Sequence, residues 1–395
     1  MIGGEQVQSE CKTYTEPHFS QAKEVMQHSK AVKPLESITA AQIAKSPLQP
    51  PPFIIEGLLP AGMTIFAAPP KTGKSWFCLD MACAIATGRT FLGRRCIQGM
   101  VLYLDLESKD YRVQDRLKKA GLPGPENLHF VFKSERLNGG LLEQLITWKE
   151  QHPDTNVVIV DTLGRVKGVQ AKNSDAYTAD TVSLAPLQSW ALNNGVALIC
   201  VTHLRKTGSA RYEADTDPFE RITGSNAQFG VADTAWIIAG KRGSDEMRFV
   251  ASGRDIESID LAISFDKKLC RWACLGDAVS REASIARRNY EENPIVKAIR
   301  EGLSNSATGC FQCTANDLFH RILSYRDTAV TGTVDMGRKL NMLSEQLYAY
   351  DRIVYKKSNS RGNNGRMHSF CYERKEPLYT KQLSLMANSP EHATS

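Results

Sequence analysis

The chain reads as an α/β protein, with a core built on a mainly parallel sheet and a smaller α+β domain after it. Three observations predict this class. Nearly continuous apolar runs lie at 63–67, 99–108, 156–162 and 196–201, the second and third ending in acidic and hydroxyl residues and the fourth followed by Thr202-His203, the pattern of strands buried on both faces. Helix-like stretches separate these runs, the alternation that a parallel sheet requires. After about residue 280 the alternation stops, and amphipathic stretches followed by two short strand-like runs replace it.

Taken in order, residues 1–49 are polar and mixed in charge without a sustained apolar period, so they read as a flexible arm with a short helix near 40–44. The Pro50-Pro51-Pro52 run marks a rigid entry to the core domain, placed at 50–280. Inside it, 63–67 is the first core strand and 76–87 a helix with Phe77, Met81 and Ile85 at helical spacing, stopped at Gly88. A helix at 110–121, a strand at 128–132 and a helix at 141–151 precede the strand 156–162; a helix over 179–193 leads to the strand 196–201. Residues 206–220 read as a long loop, and 234–239 with 247–252 as paired strands, followed by a last alternating strand at 261–265. The second domain, 281–378, carries helix patterns at 293–303, 314–323 and 333–348 and a hairpin from 353–355 and 369–372; 379–395 reads as a disordered tail. Three helices and a hairpin resemble a winged helix.

Between the first strand and its helix lie Ala68, Pro69, Pro70, Lys71, Thr72, Gly73, Lys74, Ser75 and Trp76. A tight loop ending in Gly-Lys-Ser at a helix start presents backbone N–H groups to a phosphate chain, with the lysine on the β- and γ-phosphates and the serine hydroxyl on Mg²⁺. The expected ligand is ATP with Mg²⁺ across Ala68 to Trp76. Alanine stands at position 68 where the usual pattern has glycine. Other strands deliver polar groups to the same edge: Asp105 and Glu107, then Asp161, then His203. Glu107 is the candidate base for the attacking water, with Asp105 as its competitor; Asp161 is the candidate metal carboxylate beside Ser75, and His203 a sensor of the γ-phosphate.

Composition is that of an ordinary globular protein. No stretch reaches the roughly 20 apolar residues that cross a bilayer, and the first residues lack the plan of a signal peptide, so a cytoplasmic protein without a membrane partner is expected. Residues 281–395 hold 17 Lys and Arg against 12 Asp and Glu, most of the net charge of +6, which points to nucleic acid at that end. Lys356, Lys357, Arg361 and Arg366 cluster in the hairpin loop as candidate phosphate contacts that grip a backbone without reading bases. The ten cysteines are scattered, with 270/274 and 310/313 the only close pairs; reduced, mostly buried thiols are expected.

Together the strand and phosphate loop, Leu104-Asp105-Leu106-Glu107-Ser108, Val160-Asp161-Thr162, Val201-Thr202-His203-Leu204, and the later Ala232-Asp233-Thr234 and Gly253-Arg254-Asp255 look like the RecA-like ATPases of phages and plasmids. The chain resembles the RepA-type replicative helicases, relatives of DnaB and KaiC, over about residues 53–266. The resemblance implies a homo-oligomer, a hexamer in that family, with ATP between subunits and single-stranded DNA in the ring. It also implies catalysis by the glutamate matching Glu107, metal binding at Asp161 and nucleotide sensing at His203. That family places an arginine finger just before a Gly-Ser pair; ahead of Gly224-Ser225 this chain has Thr223, with Arg221 further back, and Arg254 and Lys206 are further candidates. A nucleotide-gated DNA-binding regulator or loader is the alternative to a helicase.

Overall fold

The computed structural model describes residues 35–47, 49–122, 124–167, 176–204, 219, 226–240, 243–323, 330–360 and 365–373. The arm before residue 35, the tail after 373, most of the 206–220 loop, Thr223 to Ser225 and Arg361 lie outside them. Two compact units form, Met1–Pro50 and Pro51–Ser395. In the first, Ala40–Lys45 is a short helix (α1) started by a capping box between Thr39 and Gln42.

The second unit opens with an antiparallel pair, β1 (Phe53–Ile55) and β2 (Leu59–Pro60). The main sheet follows. Its parallel strands are β3 (Gly62–Ala68), β4 (Met100–Asp105), β5 (Leu128–Val131), β6 (Thr155–Asp161), β7 (Ala197–His203) and β8 (Thr234–Ala239). Three antiparallel strands extend it: β9 (Glu246–Gly253), β10 (Ile259–Asp266) and β11 (Arg271–Asp277), giving the order β11-β10-β9-β8-β3-β7-β6-β4-β5. The connecting helices are α2 (Lys74–Thr87), α3 (Asp110–Lys119), α4 (Leu141–Gln151), α5 (Leu163–Val166), α6 (Ala176–Asn193) and α7 (Asn226–Val231).

Side chains of β3 alternate between two cores. Phe66 and Ala68 join the core under α2, while Met63, Ile65 and Ala67 join the one under α4 and α6. Burial on both faces is why this strand reads as an unbroken apolar run. Under α2, Phe77 lies 5.0 Å from Phe66 and 5.5 Å from Phe249, centroid to centroid. Aromatic pairs of this kind contribute about 0.5–1.5 kcal/mol each beyond their buried area. They fix the helix that carries the phosphate loop.

Among the described residues no helix is long and apolar enough to cross a membrane. Beyond β11, α8 (Ala278–Glu292), α9 (Pro294–Ser304), α10 (Ala315–Ile322) and α11 (Thr333–Asp351) pack with a sheet of β12 (Cys310–Thr314), β13 (Ile353–Lys357) and β14 (Met367–Tyr372), ordered β12-β14-β13. This module has its own core, with Ile299, Leu318, Leu340 and Phe370 among its fully buried residues. Several elements were not expected. β1, β2 and α5 are too short to impose a period, α8 buries only Ala278 and Tyr290, too thin an apolar face to show in the sequence, and β11 and β12 are mixed in polarity. The thiols differ too. Cys310 and Cys371 are register partners on β12 and β14 and are joined as a disulfide, where the sequence suggested reduced cysteines.

Candidate nucleotide site

The loop between β3 and α2 turns through two residues with positive φ, Lys71 at 64° and Gly73 at 94°. Gly73 caps α2 in the left-handed region, and a Cβ there would lie 3.0 Å from Cζ2 of Trp272. Both facts require glycine. Ala68 does not face that demand: it is the last residue of β3, fully buried, and has no positive φ. The alanine in place of the usual glycine therefore costs the loop no backbone strain. Thr72 tightens the loop by donating from Oγ1 to the Pro69 carbonyl at 2.7 Å. First-turn amides of α2 have no acceptor within their own helix, and face where an anion would sit.

Lys74 is buried and donates from Nζ to the carbonyls of Ala68 and Pro69 at 3.1 and 3.2 Å, and to Nδ1 of His203 at 3.0 Å. An ammonium group has no acceptor, so Nδ1 of His203 accepts and its proton sits on Nε2. Burial lowers the Lys74 pKa against the raising influence of Asp161 and Glu107. Burial also lowers that of His203, with the Lys74 charge adding to it. Polyphosphate oxygens would satisfy this cation better than loop carbonyls, because they bring charge as well as acceptors.

Asp161 ends β6, beside Asp105 of β4 in the register. Burial pushes its carboxyl up to about 6; hydrogen bonds from Tyr103 and Ser75 oppose the rise, and the Asp105 and Glu107 carboxylates add to it. Tyr103 donates to Oδ2 of Asp161 at 2.9 Å. A buried carboxylate crowded by two others and bonded to a serine hydroxyl suits a hard cation with oxygen ligands. Ser75 and Asp161 thus fit Mg²⁺, which would supply charge neutralisation to the phosphates. The peptide after Asp161 is cis.

The two acidic candidates on β4 and its extension separate. Asp105 is buried, accepts from the Ser108 amide at 2.9 Å and faces Arg116 at 3.6 Å, so it closes the turn. Glu107 has a side chain 42% exposed, held by Thr162 Oγ1 at 3.1 Å with Arg165 at 3.9 Å. It is the more open of the two carboxylates. Neither Tyr103 nor Thr162 was singled out by sequence, although a lone tyrosine in the apolar run of β4 is the signal that was there.

Ala68, His203, Asp161 and Asp105 therefore gather at one edge because β3, β7, β6 and β4 run parallel with Ala68 opposite His203 and Asp161 opposite Val201. Trp76 faces Phe265 at 5.8 Å between centroids, at the side of this edge. Arg254 is not brought to it. It follows β9, which runs the other way, and its Nη1 lies 3.2 Å from Oδ1 of Asp233, whose Oδ2 accepts from the Met63 amide near the start of β3. Lys357 and Arg366 line a groove of the C-terminal module together with α11, while Lys356 is exposed outside that lining.

A strand, a phosphate loop ending in Lys74-Ser75 and the acid-tipped strand β6, one strand removed across β7, make a P-loop nucleotide site. Residues 29–209 match the model of a family described as an AAA domain. Among solved structures, a DnaB-like replicative helicase is 15% identical, with 65% of this chain and 72% of that one covered and a TM-score of 0.46. A KaiC-like protein of the hyperthermophilic archaeon Pyrococcus horikoshii is 13% identical, with 56% and 93% covered and a TM-score of 0.39. No curated protein matches the sequence.

Proposed function

We propose that the protein is an ATP-hydrolysing, RecA-like motor of DNA replication or repair, of the RepA helicase type, acting as a ring-forming homo-oligomer. The observation that carries the reading is the Lys74 ammonium, held at 3.0 Å from His203 and within the electrostatic reach of both Asp161 and Glu107. Phosphate, metal, water and sensor positions thus share one edge. Lys74 and the α2 amides bind the phosphates; Ser75 and Asp161 hold Mg²⁺; Glu107 takes the proton of the attacking water. His203, bonded to Lys74, feels the departure of the γ-phosphate.

The cation that completes a neighbouring subunit's site is best sought where connections leave strands at the phosphate edge. Lys206 follows β7, and Lys241-Arg242 lie in sequence between β8 and β9; all three are outside the described residues. The C-terminal module, with its helices and basic hairpin, acts in this reading as a winged-helix-like DNA-binding domain.

The test is ATP hydrolysis with and without single-stranded DNA, comparing the parent chain with Glu107→Gln. DNA-stimulated turnover that falls about 10²–10⁴-fold in the variant while ATP binding persists is the expected result. Bound ATP without turnover in either chain would overturn the motor and favour a nucleotide-gated regulator.

A further inference from the structure

Strands β4 and β6 stay paired one residue past their ends, because the Leu106 amide donates to the Asp161 carbonyl at 2.8 Å. That bond, and the turn that Asp105 closes through the Ser108 amide, carry Glu107 to the side of Thr162. We infer that Thr162 and Arg165 are positioning residues for Glu107: the threonine hydroxyl aims the carboxylate at the attacking water, and the arginine makes the restraint on that carboxylate depend on a nucleic-acid backbone bound outside the site. The inference rests on the reading of Glu107 as the base given above, and adds to it what aims that base and what releases it.

Thr162 breaks a local rule. It stands at the N-cap of α5 in an extended conformation, where a threonine side chain ordinarily accepts from an amide of the first turn. No such bond forms. The hydroxyl, on a residue only 3% exposed, donates instead to Oε1 of Glu107 at 3.1 Å. A hydroxyl has one proton to give, so its direction decides which carboxylate oxygen is occupied. With Oε1 held, Oε2 has no hydrogen-bond partner among the described residues. It is the oxygen left to take the proton of the water.

Arg165 approaches the same oxygen in a different way. Its Nε lies 3.9 Å from Oε1, beyond hydrogen-bond length, and its side chain is 61% exposed. Among the described residues it makes no other ion pair. Lys167, two positions on, is by contrast tied to Asp180 at 2.8 Å. Arg165 is thus the exchangeable cation here: an exposed pair with a carboxylate is weak, whereas a phosphodiester takes the guanidinium fork through two parallel bonds. A strand of nucleic acid presenting its phosphates at this point draws Arg165 off Oε1, and Thr162 alone then holds Glu107. The carboxylate charge that the guanidinium balances at rest becomes available to polarise the water.

The experiment measures steady-state ATP hydrolysis by the full chain with and without single-stranded DNA, and DNA binding by fluorescence anisotropy. Thr162→Val keeps the branched shape and removes the hydroxyl; kcat should fall about tenfold to hundredfold with KM within about twofold, the pattern of an interaction made in the transition state. Thr162→Ser keeps the hydroxyl and should hold kcat within about threefold of the parent. Packing alone would reverse that order, so a tolerated valine with a damaged serine, or equal losses in both, would overturn the Thr162 assignment. Arg165→Ala should raise basal turnover to about the parent's DNA-stimulated rate and bring the ratio with and without DNA towards one, while DNA affinity stays within about threefold because one phosphate contact is lost among several. Unchanged stimulation, a parent rate indifferent to DNA, or stimulation lost only because DNA no longer binds would overturn the Arg165 assignment. So would a fall in basal turnover, which would give the guanidinium to the nucleotide's own phosphates. Hydrolysis abolished by Glu107→Gln but indifferent to Thr162→Val and Arg165→Ala would sink this inference and leave Glu107 the base. Hydrolysis that survives Glu107→Gln, or a parent chain without turnover, would remove the base and this inference with it.

Discussion

Replacing Asp233 tests whether Arg254 belongs to the architecture of the sheet or to catalysis. The Asp233 carboxylate is almost fully buried and accepts from the Met63 amide at 2.8 Å, from Nε2 of Gln188 at 2.8 Å and from Arg254 at 3.2 Å. Asp233→Ala leaves the buried Met63 amide without its acceptor, at about 1–3 kcal/mol, and the half-buried Gln188 amide at less, so the expected cost is about 2–5 kcal/mol. That is a large part of the roughly 5–15 kcal/mol that holds a typical domain together. Arg254→Ala should cost under about 1 kcal/mol, because its side chain is 61% exposed and solvent screens the pair. Urea unfolding followed by tryptophan fluorescence is the assay: all five tryptophans, at 76, 148, 190, 236 and 272, lie in the core domain, so the signal reports on that domain. Equal costs for the two variants would refute the reasoning. So would a fall in turnover of about 10³-fold in Arg254→Ala at unchanged stability, since that is the signature of an arginine supplied to a neighbour's site.

Three other changes probe the site and the second domain. Gly73→Ala forces a Cβ into the left-handed region against Trp272; a strain of about 1–3 kcal/mol should lower ATP affinity tenfold or more by calorimetry, and unchanged affinity would mean the loop adapts. Tyr103→Phe keeps the volume and removes the donor to Asp161. ATP binding in the presence of Mg²⁺ should weaken several-fold while binding in chelator stays constant, and equal loss under both conditions would assign Tyr103 to packing alone. In the second domain Asp351 is partly buried, which raises its pKa, yet hydrogen bonds from Arg300 and Tyr290 hold it below the usual carboxylate range. Its stabilisation is therefore full above about pH 4 and is lost as pH falls through the depressed value. Asp351→Asn should remove that acid-dependent part of the unfolding of the second domain, followed by circular dichroism, and a preserved acid dependence would point to other groups.

What could be read from sequence divides along the distance over which the chemistry is specified. The phosphate loop is local: Gly73, Lys74 and Ser75 are consecutive, and strand, loop and helix meet there. Asp161 and His203 are remote from it, but parallel strands put all their carboxyl ends at one edge, so an apolar run ending in a polar group locates itself. Pairings such as Tyr103 with Asp161, or Trp272 behind Gly73, are different. They depend on which strands are neighbours and in what register, and no local pattern encodes that. β12 and α8 were hidden for a simpler reason, since neither carries enough buried apolar surface to impose a period on its residues.

The Arg254 placement follows from strand direction, and the sequence held most of what was needed. β8 runs parallel to β3, so its end at Ala239 emerges with the phosphate loop. β9 pairs antiparallel with β8, with Gly253 opposite Thr234, and so delivers Arg254 to the far edge. A second reversal makes β10 run back, which returns Phe265 to the phosphate side beside Trp76 and sets Trp272, at the start of β11, against Gly73. Each antiparallel step thus moves the residue after a strand from one edge to the other. Once 234–239 and 247–252 are taken as paired strands joined by a short turn, a residue after the second cannot share the edge of a residue after the first. Arg254 therefore lies at the opposite edge of the sheet from its own phosphate loop, where it pairs with Asp233.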